Sequence, residues 1–330
     1  MKPKALMVLD PHSRDLIYGP DERRDLDALV EWVGPPQTRD TVLACSGLRA
    51  AEWIFSGWGM ASLTPALLEA APALRWILYG AGSIRGFMTD AAWDRGLRVT
   101  SAYAANAVPV AEFSLAQILL SLKRVWTYVI RGKLEGKAVA RIPVPGAYGS
   151  VVGLVSLGMI GRRVAELLRA FDVKVIAYDP FVAPAAAAAL GVELVSLEDV
   201  FGRAEVVSLH TPWLKETEGL ITGAHFEAMK PGAAFINTAR GAVVRESEMI
   251  AVLQRRPDLT AVLDVTYPEP PVAGSPLYTL PNVILTPHIA GSMDNECRRM
   301  GRYMVEEAGR LLRGEPLKWA ISREQAARLA

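Results

Sequence analysis

The chain has 330 residues, 51% of them hydrophobic and 22% charged, with a formal net charge of +1. That length exceeds what one hydrophobic core usually supports and predicts two domains, while the balanced charge gives no electrostatic reason to expect nucleic acid or an acidic membrane as partner. Its two cysteines, Cys45 and Cys297, lack CxxC spacing, which argues against a disulfide or zinc framework and suits a reducing, cytoplasmic setting.

The opening "MKPKALMVLD" reads as a first strand, because its apolar run is too short for a secretory signal. From there to about residue 102, "ALMVLD", "TVLACSG", "EWIFSGWG", "LRWILYGAG" and "LRVTSA" predict strands. Between them "ERRDLDALVEWV" and "TPALLEAAPAL" carry helical spacing, and strands alternating with helices imply a parallel α/β sheet. Residues 106–130 predict a helix with Phe113, Leu115, Ile118, Leu119, Leu122 and Trp126 in one stripe, read as core or subunit contact. The uncharged stretch 142–161 reaches membrane-span length, yet its prolines and glycines suit a loop feeding a central strand, so no membrane segment is expected. A second α/β run follows, with strands at "VVGLVSL", "VKVIAYD", "EVVSLHT", "AAFINTA", "TAVLDVT" and "NVILTPH". The final helix, within 293–314, is charged on one face and apolar on the other and could return to the first domain.

The turn after "VVGLV" nearly spells the glycine fingerprint of a dinucleotide site. Gly158 and Gly161 hold its second and third positions, and Ser156 stands where the first glycine would be. A pyrophosphate would sit against the N–H groups opening the helix at Met159, Ile160 and Gly161. Ser156 strains the turn only if its φ is positive, and its small side chain adds little bulk. Asp179 closes the next strand, about twenty residues on, where a carboxylate accepts ribose hydroxyls and disfavours a 2′-phosphate. NAD is therefore expected over NADP.

In a doubly wound sheet, ligands lie beyond the carboxyl ends of the strands. The first polar residues after the later apolar runs are His210, Arg240, Asp264, Glu269 and His288. Three make a chemical set for moving a hydride between nicotinamide and a ketone. A histidine such as His288 can donate a proton to the carbonyl oxygen. Glu269 can bind the other ring nitrogen and favour the imidazolium, and Arg240 offers a planar fork for a carboxylate.

With these residues the chain resembles the D-isomer-specific 2-hydroxyacid dehydrogenases along almost its whole length. The likeness rests on "VGLVSLGMIGRRVAELL", "VSLHTPWLKETEGLI", "MKPGAAFINTARGAVVRESEMIAVL", "LDVTYPEPP" and "NVILTPHIAG". It implies two doubly wound parallel-sheet α/β domains, a Rossmann-type NAD domain at 107–293 inserted in a flavodoxin-like substrate domain at 1–106 and 294–330, with an interdomain cleft. It implies Arg240, Glu269 and His288 as the catalytic trio and Asp264 beside the nicotinamide carboxamide. His210, Thr211 and Pro212, with Thr238 and Ala239 as well as Arg240, would line the cofactor cleft. Gly80, Ala81 and Gly82 would offer N–H groups to the substrate carboxylate, and Trp58 would face its side chain. The partner implied is a small 2-hydroxy or 2-keto acid, and the assembly a homodimer.

Two departures from the family pattern stand out, Ser156 and the Tyr267–Pro268 pair before Glu269. Formate-oxidising relatives carry glutamine beside the histidine, so Glu269 argues against formate, whereas phosphite oxidation would keep the same trio. NAD-binding corepressors share the fold, but no added motif of that role is seen. The loop "SGWGM" is aromatic and uncharged, with only Arg85 nearby as a cation. It favours an unphosphorylated substrate, such as glyoxylate, hydroxypyruvate or a bulkier 2-keto acid, over phosphoglycerate.

Overall fold

The structure, a computed structural model, describes residues 1–327. The chain divides into two units: Met1–Ala107 with Ser292–Ala330, and Val108–Gly291. The first unit begins β1 (Lys4–Val8), α1 (Pro11–Ile17), α2 (Pro20–Leu29), β2 (Glu31–Trp32), β3 (Trp53–Ser56), α3 (Pro65–Ala70), β4 (Trp76–Tyr79), α4 (Asp90–Asp94) and β5 (Arg98–Ser101). Helix α5 (Tyr103–Leu122) carries the chain into the second unit, followed by α6 (Val125–Glu135). Next come β6 (Val151–Val155), α7 (Met159–Leu168), β7 (Lys174–Tyr178), α8 (Pro184–Ala189), β8 (Val192–Leu194), α9 (Leu197–Arg203) and β9 (Val206–Leu209). Then α10 (Gly223–Ala228), β10 (Ala234–Asn237), α11 (Glu246–Arg255), β11 (Thr260–Leu263) and β12 (Val283–Leu285) complete that unit. Helix α12 (Cys297–Arg313), β13 (Ala320–Ile321) and α13 (Arg323–Ala326) belong again to the first.

The first unit's sheet runs β13-β5-β4-β3-β1-β2, parallel except for β13, which pairs antiparallel with β5. Its parallel order is that of flavodoxin-like folds. Strand β4 shows why both faces must be covered: Ile77 and Tyr79 enter one apolar cluster, Trp76 and Leu78 another. The returning α12 supplies Met300, Met304 and Ala308 to the second of these. It is also tied by buried Glu307, which accepts from Thr100 Oγ1 at 2.9 Å and from the N–H groups of Lys318 and Trp319.

The second unit's sheet is wholly parallel, in the order β12-β11-β10-β9-β6-β7-β8. The order reverses between β6 and β9, the switch point at which such sheets bind ligands. Ala234 and Ile236 of β10 face one core and Phe235 the other. Helix α5 is long and apolar enough to cross a membrane, but 56% of its most apolar window is buried, and Ala111, Ile118 and Leu122 belong to the core.

Two expectations need correction. "TVLACSG" is not a strand but two 3-10 turns, Val42–Ala44 and Ser46–Ala50. Only Val42 and Leu48 are fully buried there, and Leu43 is 56% exposed, so no alternating face exists to pair. The helix expected over 106–130 is two, broken where Arg124 takes a left-handed φ of 50°. Strands β2, β8 and β13, of two or three residues, are too short to leave a periodic signal.

Candidate active site

Strand β6 leads into α7 through Ser156, Leu157 and Gly158, a turn closed by backbone and by one carboxylate. Ser156 N–H donates to Tyr178 O at 2.8 Å, and Leu157 N–H donates to Asp179 Oδ2 at 2.7 Å. Asp179 Oδ1 accepts from Phe181 and Val182 N–H groups. The carboxylate expected to meet the ribose hydroxyls therefore also braces the glycine turn. A carboxylate has about four acceptor positions, so these three bonds leave Oδ2 able to accept once more. Gly161 must be glycine because a Cβ there would lie 2.2 Å from Ser156 O. The space over Gly158 is open, with nothing within 4 Å of an added Cβ, and no side chain caps the helix start. Met159 is exposed and Ile160 half-buried at that start.

Ser156 has φ 77°, so the strain is present, about 1–2 kcal/mol for a non-glycine residue. Its hydroxyl makes a 2.8 Å bond with Thr211 Oγ1, which offsets about 0.5–1.5 kcal/mol. Beside it His210 is buried, and neither ring nitrogen has a partner among the described residues. Its Cδ2 lies 3.6 Å from where a Cβ on Gly161 would be. An uncapped helix start, open space over Gly158 and an orphaned buried imidazole next to the turn fit a dinucleotide diphosphate. Pro212 follows, its carbonyl accepting from Thr217 Oγ1 at 2.6 Å.

Burial pushes the His210 imidazole down to about 4, so it is neutral at neutral pH. The folded value lies below the ordinary 6.5, so its contribution to stability is full above about pH 6.5. It is lost progressively as pH falls to about 4, up to roughly 3 kcal/mol. His210→Leu is expected to melt as high as the native chain at pH 7 and to lose less on acidification to pH 4. An equal acid-induced drop in the two proteins, measured by thermal unfolding, would contradict this.

On the next strands, Asn237 shapes the β10 tip: its Oδ1 accepts from Ala239 N–H and its Nδ2 donates to Arg240 O. Thr238 Oγ1 lies 3.0 Å from Ser114 Oγ on α5. Arg240 Nη1 donates to Ala239 O at 2.7 Å. Gly241 lets this turn press on the β11 tip, since a Cβ there would lie 2.0 Å from the Thr266 carbonyl carbon. Thr266 Oγ1 in turn bonds Pro268 O at 2.9 Å, in the segment that presents Glu269. Tyr267 N–H donates to Glu246 Oε2, and its ring meets Trp213 edge to face at 5.2 Å.

His288 Nδ1 and Glu269 Oε1 are 2.6 Å apart, with both side chains about half exposed. His288 has φ 55° and its N–H donates to Asp264 O at 3.0 Å. The Asp264 side chain, in a residue only 2% exposed, accepts from Thr286 Oγ1, Ile289 N–H and Ala290 N–H. This carboxylate, expected beside the nicotinamide carboxamide, thus fixes the loop that carries His288. No local pattern marks that task, nor the roles of Asn237 and Ser114.

In the first unit, the 56–60 and 79–82 loops follow the adjacent parallel strands β3 and β4. Trp58 is exposed and its carbonyl accepts from Asp10 N–H at 3.0 Å. Gly80 is corrected as an amide donor to substrate: its N–H is spent on Ser56 O at 2.8 Å, continuing the strand pairing. Ser101 Oγ donates between the carbonyls of Ala81 and Gly82, at 2.8 and 2.6 Å. Arg85 Nη2 donates to Ala327 O at 3.4 Å. Among the described residues no cluster of His, Cys, Asp and Glu could hold a metal.

A seven-stranded parallel sheet with this turn and this histidine–carboxylate pair defines a dinucleotide-binding α/β protein. Residues 115–290, more than half of the chain, match the family model of the D-isomer specific 2-hydroxyacid dehydrogenase NAD binding domain. The chain belongs to that family, and the cofactor of the matched domain is NAD. D-3-phosphoglycerate dehydrogenase of Mycobacterium bovis is 35% identical over 89% of the chain and 54% of its own length. The chain spans about half the length of the curated relatives it matches first. Among solved structures, apo D-mandelate dehydrogenase of Rhodotorula graminis superposes with a TM-score of 0.78 at 25% identity, covering 98% of both chains. A phosphoglycerate oxidoreductase from Rhizobium etli, at TM-score 0.79 and 24% identity over 98% of this chain and 99% of its own, shows the same fold.

Proposed function

We propose that the protein interconverts a small 2-keto acid and its D-2-hydroxy acid, using NAD. Bound NAD supplies or accepts the hydride at the substrate's C2. In reduction, His288 Nε2 gives a proton to the keto oxygen as that oxygen gains charge, and takes it back in oxidation. Glu269 accepts from Nδ1, which fixes the ring and leaves Nε2 to face the substrate oxygen. Arg240 grips the substrate carboxylate as a planar fork. Ser156, Gly158, Met159, Ile160, Gly161, Asp179, His210, Thr211, Pro212, Thr238, Ala239 and Asp264 are assigned to holding or shaping the cofactor site. To the first unit we assign substrate recognition, with Trp58 at the side chain and the Ala81 and Gly82 amides at the carboxylate. The observation that carries this reading is the 2.6 Å His288–Glu269 contact, from loops after neighbouring strands of an NAD-binding sheet. A cytoplasmic homodimer completes the proposal, supported by two free cysteines and by the half-buried Phe113, Leu115, Leu119 and Trp126 of the α5–α6 stripe.

An unphosphorylated substrate is supported by the uncharged 56–60 loop and by Arg85 being engaged with Ala327. The relatives named phosphoglycerate dehydrogenases favour 3-phosphoglycerate as the second reading. NADH oxidation against glyoxylate, hydroxypyruvate, bulkier 2-keto acids and 3-phosphohydroxypyruvate separates them. The unphosphorylated acids are expected to give the highest kcat/KM; a preference for the phosphorylated one would install the second reading. Tight NADH binding without turnover of any would overturn both.

A further inference from the structure

The crevice between β6 and β9, where the strand order reverses, is crossed by two hydroxyls. Ser156 stands at the tip of one strand and Thr211 at the tip of the other, with 2.8 Å between Oγ and Oγ1. Thr211 Oγ1 also reaches Val155 O at 3.4 Å, so Thr211 can donate to that carbonyl while Ser156 donates to Thr211. Ser156 is held on three sides: its N–H on Tyr178 of β7, its hydroxyl on Thr211 just past β9, and its carbonyl under Gly161 of α7. It keeps a left-handed φ of 77°, a conformation that glycine adopts freely and serine does not.

We propose that Ser156 is a positioning residue whose hydroxyl, bonded to Thr211, straps the switch point and fixes the turn Leu157–Gly161 for the cofactor diphosphate. The inference rests on the reading that this turn holds NAD. The first fingerprint glycine serves only the tight turn. Here the strained backbone is kept in place by a side-chain bond to the neighbouring strand. The helix N–H groups then arrive at the diphosphate already oriented, so less ordering is left for the binding step. Losing the strap should cost affinity rather than the fold.

The test uses the intact chain, with NADH affinity read by fluorescence titration without any keto acid, and thermal unfolding read without NADH. Ser156→Ala and Thr211→Val should each weaken NADH by about 3–10-fold, the worth of one neutral hydrogen bond. The double variant should be no weaker than either single one, because both remove the same bond. Thr211→Ser, which keeps the hydroxyl, should bind within about twofold of the native chain. Ser156→Gly relieves the strain and removes the strap, so its unliganded melting point should hold or rise while NADH affinity falls. Additive losses in the double variant, or native affinity in Ser156→Gly, would overturn the strap while leaving the NAD site standing. Failure of the native chain to bind NADH would overturn both.

Discussion

Replacing His288 with alanine is expected to lower turnover by about 10²–10⁴-fold, the usual worth of a positioned general acid, while NADH still binds. The nucleotide turn lies at the tips of β6 and β7, whereas His288 follows β12 at the sheet's far edge, which is why the two effects should separate. The loss should be large because so much structure serves this one ring. Its backbone is held at φ 55° by a carbonyl and a carboxylate of Asp264, and its Nδ1 is held by Glu269 at 2.6 Å. Nε2 is thereby left as the nitrogen that can meet a substrate oxygen. Turnover within a few-fold of native, by steady-state NADH oxidation with a competent keto acid, would remove His288 from the role.

Arg240→Lys is expected to raise KM for the keto acid by about 10–100-fold, with a smaller change in kcat. A hydrogen bond to a charged group is worth about 1.5–3 kcal/mol, and lysine keeps the charge while losing the two parallel donors. The substrate carboxylate is present in both ground and transition states, so the loss falls mainly on binding. The guanidinium is placed by its own turn: Nη1 sits on Ala239 O, and Gly241 presses that turn against Thr266. A lysine ammonium would have neither the reach on both substrate oxygens nor the fixed plane. An unchanged KM alongside a fallen kcat would assign Arg240 to the chemistry instead of to binding.

The candidate site was legible wherever it follows from local pattern. His288 and Arg240 are early polar residues after buried runs, and Asp179 sits at the fingerprint's usual spacing from Gly158. What stayed hidden depends on strand order. Asp264 pins Ile289 and Ala290 only because β11 and β12 are neighbours, and Ser156 meets Thr211 only because β6 and β9 are. Burial was the other gap. "TVLACSG" has the composition of a strand but exposes Leu43, and nothing in its composition shows this. Gly80 sits in a glycine-rich loop that suits an amide donor, but its N–H is taken by Ser56 O of the neighbouring strand, a pairing that depends on strand order.

The most direct measurement follows the hydride itself. Hydroxypyruvate is reduced with NADH carrying deuterium at C4, each face labelled in turn, and the product is analysed by NMR and chiral chromatography. The account predicts deuterium at C2 of the D-hydroxy acid from one of the two labelled cofactors. Hydrogen from solvent at C2, the L-isomer, or no product from this or any other 2-keto acid would contradict it.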